Sequence, residues 1–359
     1  MTTTPHPTSV PFTIVDVFST IPFKGNPLAV VDARPSSATA PPVLSETAMK
    51  LLARQFNLSE TTFFLPPTNP SSAAQYRLRS FLPDGREVFG AGHNILGAWW
   101  HLASAGLLDL PRAPTAESGD GDDDDDEFVF HQELGPDVIP VRIVRRRRRG
   151  SADWTFRVSM RQAPPRSHAT HPDPAALAES VGLAAGDIGL AIGGDDARLL
   201  PPQVMSTSTT HHLLVPVASV EALGRVAVQK GRLLEELRRA DQRAYGLFLF
   251  TPAPPGSRGG GSGLEFQARF FSPGMSGEDP ATGSAAGPLA AYLYEHGVLG
   301  VDEKGAGRIV VHQGQKVGRE CVIEVEIVAK DGAIEVNIVG SGVEVARGSM
   351  LVPAATTTF

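Results

Sequence analysis

Two stretches of this sequence, RSFLPDGREVFGAGHNILGAWWHLASAG (79–106) and RFFSPGMSGEDPATGSAAGPLAAYLYEHG (269–297), carry the same pattern and decide the fold. Each begins Arg-x-Phe-x-Pro, passes through a glutamate and a glycine, and ends in an apolar helix-like run closed by another glycine. Glu87 and Glu278 are separated by 191 positions, and so are Gly92 and Gly283. A shared order of this length indicates an internal duplication, and therefore two halves of similar structure.

The composition is that of a globular protein. The chain has 359 residues, of which 42% are hydrophobic and 20% charged, and its length predicts two domains. A net charge of −7 disfavours a general nucleic-acid binder, and no apolar run is long enough to span a membrane. The N-terminus lacks the pattern of a secretory signal, and the one cysteine, Cys321, excludes an intrachain disulfide. We therefore expect a cytoplasmic protein that binds neither nucleic acid nor a membrane.

The duplication predicts how the chain is divided. We expect an N-terminal half over residues 1–160, completed by a last strand at about 340–355, and a C-terminal half over 161–340. Short β-branched runs and turn residues around each repeat favour the α+β class. The two halves are expected to be related by a pseudo-twofold axis, with a cleft between them.

Local patterns predict individual elements. Ser45 is placed to cap a helix that ends at Phe56, and Asn57 is suited to a left-handed stop. An acidic run (120–127) and a basic run (145–149) are expected to be solvated loops at hairpin ends that contact each other.

Each repeat places a glycine at the start of its helix. Free backbone N–H groups at the helix start carry a partial positive charge and bind anions. Gly92 with His93, and Gly283 with Ser284, therefore predict a cradle for a carboxylate. The alternative is ordinary capping by Ser284 and Thr282, with no ligand.

The motifs also identify a family. DVFSTIPFKGNPLAVV (16–31), NLSETTFFLPP (57–67) and the EDPATGSA string (278–285), together with the two repeats, resemble the PhzF-like phenazine biosynthesis isomerases, relatives of diaminopimelate epimerase. The resemblance implies a diaminopimelate epimerase-like α+β fold with two pseudo-symmetric halves, each a mixed or antiparallel sheet curled around a central helix. It also implies an active site between the halves, a homodimer, and no cofactor or metal.

The family's site residues fall on matching positions. The resemblance implies a catalytic role for three residues: Glu60 of the SET tripeptide as the acid/base, His93 after the glycine, and Asp279 of the EDPATGS string. It implies substrate binding by Gly92, Gly283 and Ser284.

The absence of cysteines at the two helix starts favours one type of reaction. The related epimerases use two cysteines at the helix starts, whereas this chain has Ala91 (or Gly90) and Ala281 there. A single base, Glu60, favours a double-bond shift in a small carboxylate-bearing metabolite. The alternatives are a racemase or epimerase with Glu60 and Asp279 as opposed bases, and a binding protein without catalysis.

No metal site is expected from the histidine pair. His211 and His212 are adjacent in a strand-like run, and neighbouring strand residues point to opposite faces.

Overall fold

The computed structural model describes residues 9–35, 44–89, 92–111, 125–147, 153–193, 198–207, 210–254, 264–275, 277–353 and 357–359. The chain divides into two compact units. The first contains Met1–Phe23, Pro27–Met160 and Gly340–Phe359, and the second contains Lys24–Asn26 and Arg161–Val339.

Strands predominate over helices, and the predicted α+β class is confirmed. In chain order the elements are β1 (Ser9–Val17), β2 (Asn26–Asp32), α1 (Glu46–Phe56), β3 (Thr61–Leu65), β4 (Tyr76–Phe81), β5 (Glu87–Val88), α2 (Gly92–Ser104), β6 (Asp126–Leu134), β7 (Asp137–Arg147), β8 (Trp154–Arg161), β9 (Arg166–Thr170), α3 (Pro174–Ser180), β10 (Leu190–Ile192), β11 (Arg198–Leu200), β12 (Gln203–Ser206), β13 (His211–Pro216), α4 (Val220–Arg225), α5 (Lys230–Ala240), β14 (Gly246–Pro252), β15 (Leu264–Phe271), β16 (Glu278–Asp279), α6 (Gly283–Glu295), β17 (Ala306–Gln313), β18 (Cys321–Lys330), β19 (Ala333–Gly340) and β20 (Gly342–Leu351).

The first unit is a mixed sheet packed on a buried helix. Strands β2 and β3 are parallel, β3 and β4 antiparallel, β4 and β5 antiparallel, and β4 runs parallel to β6. Strands β6, β7 and β8 form an antiparallel meander, and β1 pairs with β2 and β20. Helix α2 is buried along its first eight residues, so it is a central helix. Its Gly97 lies so near Val17 and Leu28 that an added Cβ would come within 2.6 and 2.7 Å of their side chains.

The helix predicted from Ser45 is confirmed. Ser45 accepts a hydrogen bond from the Ala48 N–H and caps α1, and Asn57 ends the helix at φ 50°. Leu52 and Met49 of α1 pack with Phe63 of β3 in the core of this unit. Local sequence therefore sets both ends of α1, and core packing holds it against the sheet.

The second unit repeats the topology of the first. Strands β13 and β14 are parallel, β14 and β15 antiparallel, β15 and β16 antiparallel, and β15 runs parallel to β17. Strands β17, β18 and β19 form an antiparallel meander, and β12 pairs with β13 and β9. The buried helix here is α6, and α4 and α5 occupy the connection that α1 occupies in the first unit. Two units with one strand order confirm the predicted pseudo-symmetric architecture.

The repeated motif has a structural cause in each unit. The arginine of Arg-x-Phe-x-Pro forms an ion pair with the repeat's glutamate, at 2.6 Å for Arg79–Glu87 and 2.7 Å for Arg269–Glu278. The motif phenylalanine lies opposite that glutamate in the strand register in both cases. Because β5 and β16 directly precede the buried helices, these pairs fix where each helix begins.

The two charged runs are strands in their described parts, not loops. Asp126 begins β6 and lies opposite Arg145 of β7, with 2.6 Å between the carboxylate and the guanidinium. Arg145 is buried, with its guanidinium over the rings of Phe128 and Trp154. The loop prediction is wrong here because the charges pair across a hairpin, although their mutual contact is confirmed. Residues 120–124 and 148–149 lie outside the described residues.

Candidate active site

In the first unit, Glu60 and His93 are adjacent. Glu60 directly precedes β3, and His93 is the second residue of α2. Their side chains are 15% and 8% exposed, and Glu60 Oε2 lies 3.2 Å from His93 Nε2. The start of a strand and the start of a buried helix thus bring a carboxylate and an imidazole together, although 33 positions separate them in the sequence.

Burial determines the charge state of His93. Removal from solvent lowers the pKa of His93 to about 4, so its imidazole is neutral at pH 7. A neutral imidazole holds one N–H and one bare nitrogen, and can give a hydrogen bond to a carboxylate or take one from a carboxyl group. Depending on which ring nitrogen carries the proton, Nε2 is suited either to donate to the Glu60 carboxylate or to accept from its protonated form.

The glycine before His93 begins the helix. Gly92 is the first residue of α2 and is buried. Gly90 and Ala91, which the sequence comparison placed at the cysteine positions of epimerases, lie outside the described residues.

In the second unit, Asp279 is held by a network of hydrogen bonds. The Thr282 hydroxyl donates to its Oδ2 at 2.6 Å, and the Asn26 amide donates to its Oδ1 at 3.0 Å. Gln313 donates to the Asp279 carbonyl at 2.7 Å and to the Thr282 hydroxyl at 3.0 Å. Thr282 and Asn26 each donate to a different oxygen, and together they hold the Asp279 carboxyl group in one orientation.

Asp279 also holds its proton more tightly than an ordinary aspartate. Burial raises the pKa of Asp279 to about 6, against the opposing effect of hydrogen bonds from Thr282, Ala281 and Asn26. Such a carboxyl group exists in both forms near neutral pH, which suits an acid or a base.

The helix start in the second unit carries a different pair. Gly283 and Ser284 are the first two residues of α6, and Ser284 Oγ lies 3.1 Å from His212 Nε2. His212 is on β13 and 1% exposed, whereas its neighbour His211 is partly exposed. Adjacent histidines therefore face opposite ways, as the sequence predicted.

Strand β3 of the first unit and strand β14 of the second are equivalent, but only β3 has a carboxylate just before its start. Thr61 lies opposite Phe81 and Leu247 lies opposite Phe271, so Gly246 occupies in the second unit the place of Glu60. Asp279 has a counterpart of a different kind, because the equivalent residue of β5 is Val88. Of these two pairs of equivalent positions, the first unit thus has its acid at Glu60 and the second at Asp279.

The sequence predicts site roles for Glu60, His93, Asp279 and Ser284, and it assigns no such role to the residues that contact them. Asn26, Gln313 and His212 have no motif that gives them a role in the site, and Thr282 is predicted only as a cap of the second helix start. Thr282 lies inside the EDPATGSA string and Asn26 in the first resembling segment, so both belong to motifs that the sequence already distinguishes.

The described part of the chain shows no cluster suited to a metal ion. No group of three or more histidine, cysteine, aspartate or glutamate side chains is arranged to bind one among these residues. Nor does any helix among them have the length and hydropathy to cross a membrane.

Comparisons with known proteins agree with the motifs. The family model described as PhzC-PhzF, phenazine biosynthesis-like protein, matches residues 15–348. An uncharacterized isomerase of Mesorhizobium japonicum is 31% identical over 345 residues, covering 95% of this chain and 98% of the relative. The trans-2,3-dihydro-3-hydroxyanthranilate isomerase of Pseudomonas chlororaphis is 28% identical over 343 residues, covering 95% and 99%.

A solved structure has the same fold. The crystal structure of the Bacillus anthracis phenazine biosynthesis protein, of the PhzF family, aligns with a TM-score of 0.74. It is 22% identical, and the alignment covers 96% of this chain and 100% of that one. The resemblance read from the sequence and the fold expected from it are therefore confirmed.

Proposed function

Since the chain belongs to the PhzC-PhzF family of phenazine biosynthesis-like proteins and is an isomerase, we propose that it shifts a double bond in a small carboxylate-bearing metabolite, with Glu60 as the base. The observation that carries the proposal is the Glu60–His93 pair: a carboxylate beside a buried neutral imidazole, with a glycine at the equivalent place in the second unit.

In the proposed step one proton passes from the substrate to the enzyme and back, and no electrons are exchanged between them. Glu60 takes a proton from an sp³ carbon of the substrate, and the C–H electron pair forms a new double bond. The π electron pair of the existing double bond passes to that bond's far carbon, where it forms a new C–H bond with the proton that Glu60 returns. The product is an isomer of the substrate, and Glu60 ends as it began.

His93 supports the base in this proposal. Because its imidazole is neutral, it adds no charge that would lower the basicity of Glu60, and its N–H can orient the carboxylate. Backbone N–H groups at Gly92, and at Gly283 with Ser284, are proposed to bind the substrate's negative charge.

The substrate class is proposed from chemistry and from one relative. A carboxylate conjugated to the shifting double bond would spread the negative charge that develops as the proton leaves. The named substrate of the Pseudomonas chlororaphis relative, trans-2,3-dihydro-3-hydroxyanthranilate, is a compound of this class and the first one to assay.

The test is Glu60→Gln, assayed in D₂O with that compound. The wild-type enzyme should form product and incorporate deuterium at the protonated carbon. Glu60→Gln should lose roughly 10²–10⁴-fold in rate, because a positioned general base contributes that much. Glu344→Gln, an equivalent change on β20 of the same unit, is the control and should keep its rate. Full activity and deuterium incorporation in Glu60→Gln would show that another group is the base.

A second candidate is an epimerase that uses Asp279 as its other acid/base group. The raised pKa of Asp279, about 6, favours it because the group can carry a proton near neutral pH. Asp279→Asn would then abolish exchange from one enantiomer of a substrate and spare exchange from the other. If Asp279→Asn loses exchange from both enantiomers, and the wild-type enzyme does not racemise the substrate, the double-bond shift is favoured.

The homodimer, the cytoplasmic location and the absence of a cofactor stay predictions. Light scattering on the purified chain measures the first directly.

A further inference from the structure

A buried histidine in the second unit contacts the serine at the start of α6. The His212 ring lies between Tyr245 and Phe270, with ring centroids 5.0 and 5.1 Å away, and its Nε2 is 3.1 Å from Ser284 Oγ. Its Nδ1 is buried and has no hydrogen-bond partner among the described residues. This histidine is therefore held by two aromatic side chains and by one polar contact, to Ser284.

Gly246 leaves space for the His212 ring because glycine has no side chain. A Cβ at Gly246 would lie 2.6 Å from His212 Nδ1 and 2.4 Å from the Phe270 ring. Gly246 occupies the place that Glu60 holds in the first unit. The imidazole thus packs over the position of the missing glutamate, against the second residue of the buried helix.

The surroundings select one tautomer of His212. Burial lowers the pKa of His212, so the ring is neutral and carries a single N–H. On Nδ1 that N–H would be buried without a partner, which is rare in proteins, whereas on Nε2 it points at Ser284 Oγ. The N–H therefore belongs on Nε2 and donates to the serine oxygen.

This hydrogen bond decides what Ser284 can do. A hydroxyl group that accepts from His212 cannot also donate to it, because the Nε2 lone pair is replaced by the N–H. The Ser284 O–H then donates to some other group, at a helix N-terminus that favours negative charge.

We propose that His212 is a positioning residue that fixes the Ser284 hydroxyl as a hydrogen-bond donor to an anionic group of the substrate. That the anion is the substrate's carboxylate rests on the proposed function, whereas the orientation of Ser284 does not. His212 itself acts through Ser284 and takes no proton from the substrate.

The tautomer is tested without any ligand. ¹⁵N NMR of the histidine-labelled chain distinguishes the protonated ring nitrogen from the bare one, and Ser284→Ala assigns the effect of the hydroxyl. We expect His212 to be neutral with its proton on Nε2 at pH 7, and its Nε2 signal to shift in Ser284→Ala. A proton on Nδ1, or a charged ring, overturns the proposal.

The role of the pair is tested with two probes of equal shape, 2-aminobenzoate and 2-aminobenzamide, by calorimetry. The wild-type chain should prefer the carboxylate, and Ser284→Ala should weaken its binding roughly ten- to a hundredfold, which one hydrogen bond to a charged group is worth. His212→Phe keeps an aromatic ring but removes the donor, and should produce a similar loss. His212→Gln, whose amide can still donate to Ser284, should recover part of the affinity.

A double variant separates orientation from packing. If His212 acts through Ser284, His212→Phe should cost no further affinity in the Ser284→Ala background. Additive losses, or a wild-type chain that does not bind 2-aminobenzoate more tightly than the amide, overturn the anion-donor role. Neither measurement depends on turnover, so failure of the isomerase assay with Glu60→Gln remains a separate result.

Discussion

Replacing His93 with glutamine should make the first unit less sensitive to acid. The folded chain resists protonation of His93, with a pKa of about 4, whereas an unfolded histidine has a pKa of about 6.5. As the pH falls from 7 to 5, protons bind the unfolded chain and stabilise it, so the free energy of unfolding decreases. For these two pKa values the decrease is about 2 kcal/mol at pH 5, approaching about 3 kcal/mol at pH 4.

The assay follows from where the tryptophans lie. All three, Trp99, Trp100 and Trp154, are in the first unit, so their fluorescence during urea unfolding reports on the unit that carries His93. His93→Gln should be less stable than wild type at pH 7, but the difference should shrink by about 2 kcal/mol at pH 5. Asn94→Ala, a change at the next buried residue that does not titrate, should keep the same difference at both pH values. A constant difference for His93→Gln as well would refute the assignment of a neutral buried imidazole.

Two further predictions concern stability, and thermal unfolding of each variant checks them. Arg269→Ala should destabilise its unit by about 3–5 kcal/mol, because it removes the cation paired with Glu278, whose side chain is only 5% exposed. Arg79→Ala should cost less, because the side chain of its partner Glu87 is 22% exposed. Equal losses would contradict this expectation. Gly97→Ala should destabilise by about 1–3 kcal/mol through contact with β1 and β2, whereas Gly231→Ala, in α5 with open space around it, should stabilise by up to about 1 kcal/mol. If both alanines stabilise the chain, the close packing of α2 against β1 and β2 does not require a glycine at position 97.

The elements predicted from the sequence are those with local causes. Ser45 and Asn57 act on the backbone a few residues away, so the ends of α1 could be read directly. The duplicated motif also predicted the shared topology, because Arg79 and Arg269 each find a glutamate within ten positions.

The parts that the sequence did not predict depend on distant contacts. Asn26 meets Asp279 across 253 positions, and no spacing rule connects them. The prediction of loops at the charged runs was wrong for a related reason. Arg145 is buried by two rings on neighbouring strands, which a count of charges does not show. His212 was assessed only as a metal ligand, whereas its partner is a serine 72 positions away.

Part of the chemical difference between the duplicated units arises at two neighbouring strand positions, those of Gly246 and His212. A side chain at Gly246 cannot coexist with the His212 ring as it lies, because even a Cβ would come within 2.6 Å of it. A unit can therefore have either a glutamate at the position of Gly246 or an imidazole at the position of the His212 ring, but not both. The first unit has the glutamate, and Leu28 occupies on β2 the place that His212 has on β13. Under the proposed roles, one duplication yields a unit that removes a proton through Glu60 and a unit that donates a hydrogen bond through Ser284, with no change in strand order.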